Sequence, residues 1–393
     1  MGFLKKINPD ILIWTGYSGM FFFVPVATSP TVICGVFVLS VWIISGKFIR
    51  DIHKWWKSDI KLPIMILITL PWIGLVYTPL PDDGFRVAMK THYWFYAMAI
   101  VSILNTQRQP DLIIKMYLTG LSLNSAISIL QFAGVVPLKN GLTTGLLGGS
   151  SAHITYSLLL TVGILISSFY FLKAQSKRER ILYIFIMLQY VATISFIGGR
   201  SGYIALIVLS PFIVYNIIGQ RHIFKILVIS VVAVSLLFTF PVVRSRFSKA
   251  KEDIMLYKQG NINTSIGLRF HMWGIALSEI KKNPFLGIGT AGFKKSWEVY
   301  KKDPSLPFLS HPHNSFLYMA VSFGLSGLVV FCWLLFVMLK RGWENRNSAL
   351  GFAVFAFTTV FIIGSLTDTQ VLPFATAIAL SLFAGVSGAI DVS

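Results

Sequence analysis

Charged side chains are scarce in this sequence. Of its 393 residues, 12% are Asp, Glu, Lys or Arg, whereas 55% are hydrophobic, and the mean hydropathy is +0.71. Soluble domains carry about twice that charged fraction. The composition therefore excludes an ordinary soluble enzyme and predicts a polytopic membrane protein.

Cysteine and paired acidic residues are also few. Cys34 and Cys332 are the two cysteines, and both lie within apolar runs, which excludes a disulfide framework and a cysteine-based metal site. Asp82 and Asp83 are adjacent, and no Asp-x-Asp pair accompanies the candidate site described below. Neither a metal ion nor any other cofactor is predicted.

Long apolar runs are abundant. A run of about 20 apolar residues has the length of a membrane-spanning helix, which predicts an all-α polytopic membrane protein with about 12 transmembrane helices. The first run follows Lys5 and Lys6 without a convincing cleavage site, so it is interpreted as a span and not as a signal peptide. The predicted spans are 11–28, 30–49, 62–79, 88–104, 112–136, 152–172, 181–198, 201–218, 223–241, 314–339, 348–366 and 371–390.

The basic residues are distributed unevenly between the predicted sides of the membrane. With the N-terminus in the cytoplasm, the cytoplasmic segments hold 17 Lys and Arg and the short outer loops hold four. Cytoplasmic loops are enriched in Lys and Arg, so this bias predicts that both termini are cytoplasmic.

One outer loop is much longer than the rest and divides the chain. We expect transmembrane helices 1–9 in residues 1–241, a periplasmic loop domain in 242–313, and transmembrane helices 10–12 in 314–393. The loop carries 12 basic and five acidic residues. Contact with anionic lipid headgroups and binding of an anionic substrate both explain this charge.

Within the loop, the stretch "SIGLRFHMWGIALSEIKKNP" predicts a helix that Asn283 and Pro284 terminate. Arg269, Trp273, Ala276 and Ile280 fall on one face of it. An arginine on an apolar face indicates an anionic partner. The following "FLGIGTAGF" predicts a flexible turn region, and its glycine spacing is not that of a nucleotide-binding loop.

The motif "SHPHN" stands directly before the tenth predicted span. Proline favours the first helical position, which places Pro312 there with His311 as the cap, and His313 and Asn314 in the first turn. The positive pole of the helix dipole disfavours an imidazolium, so a neutral His313 suited to general-base chemistry is expected. The alternative is that both histidines only cap the helix at the membrane interface.

Arg200 lies in "SFIGGRSGYIAL", at the turn between the seventh and eighth spans. Glycines at positions 198, 199 and 202 allow a close approach of backbone or ligand. An arginine there either anchors the helix at the interface or binds a ligand. Its guanidinium matches phosphate oxygens with two parallel hydrogen bonds.

Together, Arg200, Arg269 and His313 suit one reaction at the outer face. Two cations would bind a diphosphate and stabilise its charge as it departs. A neutral imidazole would take the proton of an incoming hydroxyl. Arginines would then serve as the electrostatic element that a metal ion supplies elsewhere.

The stretches "GLRFHMWGIALSEIKKNPFLGIGTAGF" and "HPHNSFLYMAVSFGLSGLVVF" resemble the shared core of the bacterial O-antigen ligase and O-antigen polymerase superfamily. The resemblance covers about 60 residues closely. It implies a metal-independent, inverting glycosyltransferase at the periplasmic face of the inner membrane. The implied donor is an undecaprenyl-diphosphate-linked glycan, and a ligase would use a sugar hydroxyl of the lipid A core as acceptor.

The resemblance also assigns roles to residues. His313 is similar to the catalytic histidine of the family, and Arg269 and Arg200 are similar to its substrate-binding arginines. The Arg200 motif often carries leucine four residues later, where this chain has Ile204. As supporting residues, we expect His311 and Asn314 to orient the imidazole or contact the acceptor, and Lys294 and Lys295 to meet acceptor phosphates.

Three other functions stay open at this point. An O-antigen polymerase uses the same donor with a second lipid-linked glycan as acceptor, and a protein O-oligosaccharyltransferase uses a Ser or Thr hydroxyl. A lipid-glycan flippase would need ionisable groups deep in several spans. Only Lys115, His92 and His153 come near span interiors, which disfavours a flippase.

Overall fold

The computed structural model describes residues 8–104, 111–149, 152–218, 223–301 and 303–392. Regular structure in these residues is helical, apart from an isolated bridge between Lys139 and Leu142 and a 3₁₀ turn at Lys90–Tyr93. The α-helices are α1 (Pro9–Phe23), α2 (Thr28–Ile44), α3 (Lys47–Lys57), α4 (Lys61–Gly74), α5 (Pro81–Met89), α6 (Trp94–Ile103), α7 (Leu112–Phe132), α8 (Ala152–Lys173), α9 (Lys177–Ile197), α10 (Arg200–Ile218), α11 (Ile223–Leu237), α12 (Pro241–Lys258), α13 (Ser265–Lys282), α14 (Phe293–Tyr300), α15 (Ser315–Glu344), α16 (Ala349–Thr367) and α17 (Phe374–Val392).

The helices confirm an all-α, multi-pass membrane architecture, but not the predicted number of twelve spans. Among the described residues, six helices are long and apolar enough to cross a membrane: α7, α8, α9, α10, α15 and α16. Counting the bent pairs α2–α3 and α11–α12 as one span each raises the number to eight. Every predicted span contains a helix, yet several are short because turns interrupt the apolar runs, as at Gly46, which adopts a φ of 70°.

Helix α8 forms the centre of the bundle. It packs against α9, α10 and α16, and almost every residue along it is buried. Three of its hydroxyl side chains, those of Ser157, Thr161 and Ser168, bond to the helix backbone, as when Thr161 donates to the Ser157 carbonyl at 3.0 Å. Such internal bonding satisfies polar groups where no water is present.

Helix α15 bends sharply at Gly324, whose φ of 68° and ψ of −170° are not helical. The bend lets the segment after α13 bond to the helix backbone. Leu325 N–H donates to the Pro284 carbonyl at 2.7 Å, Ile288 N–H to Val321 at 2.9 Å, and Gly289 N–H to Ser322 at 3.0 Å.

The glycine-rich segment that the sequence predicts as a flexible turn is therefore a structural joint. Gly287 and Gly289 have positive φ values, and a Cβ on either would lie within 2.7 Å of neighbouring backbone. Thr290 extends the joint to α4, since its hydroxyl donates to the Pro71 carbonyl at 2.6 Å. The joint fixes α13 and α14 to the membrane helices and so positions Arg269.

Candidate functional site

The start of α15 differs from the sequence-based prediction. Asn314 is the N-cap, and its side chain accepts a hydrogen bond from Leu317 N–H at 3.0 Å. The predicted placement of Pro312 at the first helical position, with His311 as cap, was wrong. His313 instead adopts a φ of 48°, in the left-handed region where histidine is among the enriched side chains. His313 therefore precedes the helix and is not part of its first turn.

A carboxylate holds the His313 ring. Nδ1 of His313 lies 2.6 Å from Oδ1 of Asp368, the residue that ends α16. Burial, the largest single effect, raises the pKa of Asp368. The hydrogen bond from His313, the charges of His313 and His311 and the hydrogen bond from Thr369 N–H together outweigh burial, and the pKa lies below its usual value. An ionised Asp368 can only accept, so Nδ1–H donates to it, and in the neutral ring Nε2 then carries the lone pair. This is the tautomer that a general base needs.

Asn314 fixes the chain beside this pair. Its backbone N–H donates to the Thr369 hydroxyl at 3.1 Å, and its side-chain amide donates to the Leu366 carbonyl at 3.1 Å. Both bonds join the start of α15 to the end of α16. Asn314 thereby sets the position of His313 through the backbone.

His311 lies against the catalytic candidate. The His311 and His313 rings are 4.5 Å apart between centroids. Burial, followed by the neighbouring His313, lowers the pKa of His311 to about 4, so this imidazole is neutral near pH 7. Its Nδ1 is buried without a hydrogen-bond partner among the described residues.

Helix α13 is connected to the histidine turn by its tryptophan. Trp273 Nε1–H donates to the Pro312 carbonyl at 2.9 Å. Arg269 lies one helical turn earlier on the same face, as the sequence pattern indicates. Its Nη1 donates to the Ser265 hydroxyl at 3.3 Å, while its buried Nε has no partner in the described part of the chain.

Burial and several charged neighbours affect the pKa of Arg269. Desolvation lowers the pKa of Arg269 from its ordinary value, and the nearby Asp368 carboxylate opposes that effect. Arg200 and Asp253 also lie within electrostatic range of this guanidinium. An arginine remains protonated in such surroundings, so Arg269 supplies a partly desolvated positive charge.

Arg200 begins α10, directly after the two glycines that end α9. Its Nη1 lies 3.6 Å from Oδ2 of Asp253, a buried carboxylate on α12. Gly199 and Gly202 pack on Ser157 of α8, and a Cβ on either would come within about 2.5 Å of that side chain. These two glycines therefore bring α10 close to α8.

Arg200 and Arg269 line one cavity of about 360 Å³. Three further basic side chains line the same cavity: Arg246 and Lys249 of α12, and His153 of α8. Arg246 lies against Gly198, where an added Cβ would be 2.9 Å from its Nε. We call this space the cation cavity.

The His313–Asp368 pair is connected to the cation cavity on two sides. Thr367, which precedes Asp368, lines the cavity, and its hydroxyl is 2.6 Å from that of Ser201 on α10. Trp273 also lines the cavity and bonds to Pro312, which precedes His313. Both arginines and the pair therefore belong to one neighbourhood of the fold.

The two predicted acceptor-binding lysines lie elsewhere. Lys294 forms an ion pair with Asp83 at 2.5 Å, and Lys295 forms one with Glu298 at 3.8 Å. Lys295 lines a separate cavity together with Tyr77. Neither lysine is among the described residues of the cation cavity.

The fold also brings together a group that could bind a metal ion. Ligand atoms of His311, His313 and Asp368 all lie within 4.8 Å of one another. Two imidazoles and a carboxylate form a ligand set that Zn²⁺ accepts. Sequence spacing did not suggest this group, because Asp368 is 55 residues from His313.

Several site residues escaped the sequence-based prediction. Asp368 lies in "SLTDTQ", which has no motif character, and Asp253 lies in a charged helix whose pattern does not distinguish it. Arg246 and Lys249 were visible only as members of a generally basic loop. A lone acidic residue at the end of an apolar run was the one available signal for Asp368.

Part of the chain matches a known protein family. Residues 184–332 match the protein family described as O-antigen ligase, and the matched segment contains Arg200, Arg269 and His313. This segment of the chain is similar to the O-antigen ligase family.

Three curated proteins are similar to this chain over about half of its length. A protein of Haemophilus influenzae described as uncharacterized is 30% identical over 200 residues, which cover 48% of this chain and 50% of that protein. A protein of Rickettsia conorii named "Putative polysaccharide ligase" is 28% identical over 210 residues, or 50% of this chain and 48% of that protein. Its namesake in Rickettsia felis is 27% identical over 208 residues, with the same coverage. The chain spans about half the length of the curated relatives it matches.

Proposed function

We propose that this protein is an O-antigen ligase. It transfers a glycan from undecaprenyl diphosphate to a sugar hydroxyl of the lipid A core, at the periplasmic face of the bacterial inner membrane. The observation that carries the proposal is the His313–Asp368 pair beside a cavity that Arg200 and Arg269 line. The match of residues 184–332 to the O-antigen ligase family and the names of the two rickettsial relatives support glycan transfer.

The cation cavity suits the diphosphate of the donor. Arg200 and Arg269 provide planar guanidinium groups that can each contact two phosphate oxygens. Arg246 and Lys249 add positive charge on the α12 side. Such fixed charges stabilise the diphosphate most when it departs, and removing one stabiliser of this kind costs about 10²–10³ in rate.

The His–Asp pair suits the activation of the acceptor. Nε2 of His313 takes the proton of the acceptor hydroxyl while that oxygen attacks the anomeric carbon. The bond from this carbon to the diphosphate oxygen breaks in the same step, and the lipid diphosphate leaves with its electron pair. Asp368 stabilises the imidazolium that forms, as in other histidine–carboxylate pairs. A single displacement of this kind inverts the anomeric centre.

In this scheme the arginines supply the electrostatic stabilisation, and no metal ion or cofactor takes part. The Lys and Arg bias of the sequence supports the orientation, with both termini in the cytoplasm and segment 242–313 in the periplasm. The scheme therefore uses His313 as a base and leaves the neighbouring His311 free to contact the acceptor.

Reconstitution with purified components tests the proposal. The full chain in liposomes, given undecaprenyl-diphosphate-linked glycan and lipid A-core, should form glycosylated lipid A-core at the same rate with and without a chelator. His313→Ala should lower the rate about 10²–10⁴-fold, because it removes the general base. His53→Ala, which removes an exposed histidine of α3, is the matched control.

The acceptor separates the alternative functions in the same assay. Product on a second lipid-linked glycan instead of lipid A-core would identify a polymerase, and product on a Ser- or Thr-containing protein would identify a protein O-oligosaccharyltransferase. Lack of transfer to any of the three by a folded protein would refute the proposed function. Loss of product on adding a chelator would refute the metal-free scheme.

A further inference from the structure

A second cavity, of about 280 Å³, borders His311. Besides His311, its described lining comes from four parts of the chain, and we call it the neutral cavity. It is lined by Thr28 at the start of α2, by Leu147, Gly148 and Gly149, by Ala152 and Thr155 of α8, and by Leu372, Pro373, Phe374 and Ala375 before and within α17.

The first turn of α8 separates the two cavities. Ala152 and Thr155 face the neutral cavity, whereas His153 and Ile154 line the cation cavity. No described residue lines both. His311 lines the neutral cavity, and its ring centroid is 4.5 Å from that of His313.

The lining chemistry of the neutral cavity differs from that of the cation cavity. Its described residues include no Lys, Arg, Asp or Glu, and they combine hydroxyl groups and glycine backbone with apolar side chains. Lys90 lies nearby, but its Nζ donates to the Leu372 carbonyl at 3.1 Å. Such a surface suits an uncharged ring with several hydroxyl groups and apolar C–H faces.

Two polar atoms in this lining are buried without partners. Thr155 is 3% exposed, and its Oγ1 has no hydrogen-bond partner among the described residues. Nδ1 of His311 is also buried without a partner among them. Elsewhere on α8, the buried Thr161 hydroxyl bonds to the helix backbone. Buried polar groups are normally satisfied, so two unsatisfied atoms on residues that line one cavity indicate a ligand that bonds to them.

We infer that the neutral cavity binds the uncharged acceptor sugar, with Thr155 and His311 as hydrogen-bonding partners. This inference rests on the proposed function, since it assigns the acceptor site of the same reaction. The acceptor sugar then lies on the His311 side of the base, and the diphosphate lies on the side of Arg200 and Arg269. The reacting hydroxyl reaches His313 from the neutral cavity.

Removal of the Thr155 hydroxyl is the first test. Thr155→Val keeps the side-chain shape and deletes one hydrogen bond to a neutral group, so the KM for lipid A-core should rise about three- to tenfold. The KM for the lipid-linked donor should not change. Thr161→Val, which deletes a buried hydroxyl on the same helix outside the cavity, should change neither value. An unchanged acceptor KM in Thr155→Val, or a parallel rise in donor KM, would overturn the inference while leaving the proposed function intact.

A second test does not require transfer activity. An alkyl glucoside that carries a photoreactive diazirine should label the segment around Gly148 and Thr155 in the full chain. Thr28→Trp fills the cavity from an exposed position and should abolish this labelling. Excess unlabelled alkyl glucoside should compete, and glucose 6-phosphate should compete less. Labelling that Thr28→Trp leaves unchanged would refute the site, whereas labelling without any transfer would support the site and refute the proposed function.

Discussion

His313 depends on contacts from another helix for its orientation. Its φ of 48° is unusual for a residue with a side chain, and strain of this kind costs about 1–3 kcal/mol. The Asp368 carboxylate and the bonds of Asn314 to α16 hold it in this conformation. Because Nδ1 is bonded to Asp368, Nε2 is the ring nitrogen left for a substrate. Backbone strain at such a residue is typical of catalytic sites.

The role of Asp368 can be tested without a change of side-chain shape. Asp368→Asn removes the negative charge that stabilises the imidazolium and also allows the wrong tautomer of His313. We expect kcat to fall about 10²–10⁴-fold, with little change in the KM for the donor. Asp303→Asn, at an exposed carboxylate of the loop, is the control. A kcat near that of the wild type would mean that Asp368 only supports the fold.

The geometry of the Arg269 guanidinium gives a second prediction. Arg269→Lys keeps the positive charge but loses the planar pair of donors. If the group contacts two phosphate oxygens, the Lys variant should lose about as much transfer activity as Arg269→Ala, roughly 10²–10³-fold. Full activity of the Lys variant would reduce Arg269 to a point charge. Arg86→Lys, at an exposed arginine of α5, is the matched control.

At the scale of elements, the bend in α15 and the backbone hydrogen bonds between α15 and the segment after α13 determine where α13 lies. Gly324→Ala would place a Cβ about 2.2 Å from the Phe285 carbonyl and force a side chain into a positive φ. We expect a loss of at least about 1–3 kcal/mol of stability, seen as a lower thermal unfolding temperature in detergent.

Gly274 provides the control for the bend. It lies within α13, and a Cβ there would meet nothing within 4 Å. Gly274→Ala should raise stability by up to about 1 kcal/mol, because alanine favours the helix. Equal unfolding temperatures for the two variants would show that the bend does not require glycine.

Helix α13 also shows what local patterns can predict. The apolar face and the Asn283–Pro284 stop predicted its limits well, since the helix runs from Ser265 to Lys282 with Asn283 as C-cap. The start of α15 was predicted wrongly because proline at the first helical position competed with asparagine as a cap. The side-chain bond of Asn314 decided the outcome, and no local pattern reveals which cap forms.

At the scale of the whole molecule, the basic residues predict the orientation in the membrane. After replacement of Cys34 and Cys332 by serine, Lys258→Cys at the exposed end of α12 should react in intact spheroplasts with a membrane-impermeant maleimide. Lys177→Cys at the start of α9 should react only after permeabilisation, because cytoplasmic segments carry the Lys and Arg excess. The opposite labelling pattern would place the cation cavity in the cytoplasm and refute a periplasmic reaction.

The sequence by itself determined the helical membrane class. A chain with so few charges and so many long apolar runs enters the membrane, and there the N–H and C=O groups of each run must be hydrogen-bonded within a helix. The sequence also placed Arg269 and Trp273 on one face of α13 and Arg200 directly after a glycine break, since these are local relationships. Only the tertiary structure decided that Asp368 pairs with His313, that Asp253 meets Arg200, and that six to eight helices in the described part of the chain are long enough to span a membrane. Those outcomes depend on contacts between residues more than 50 positions apart and on where turns interrupt apolar runs, and neither is encoded in a local pattern.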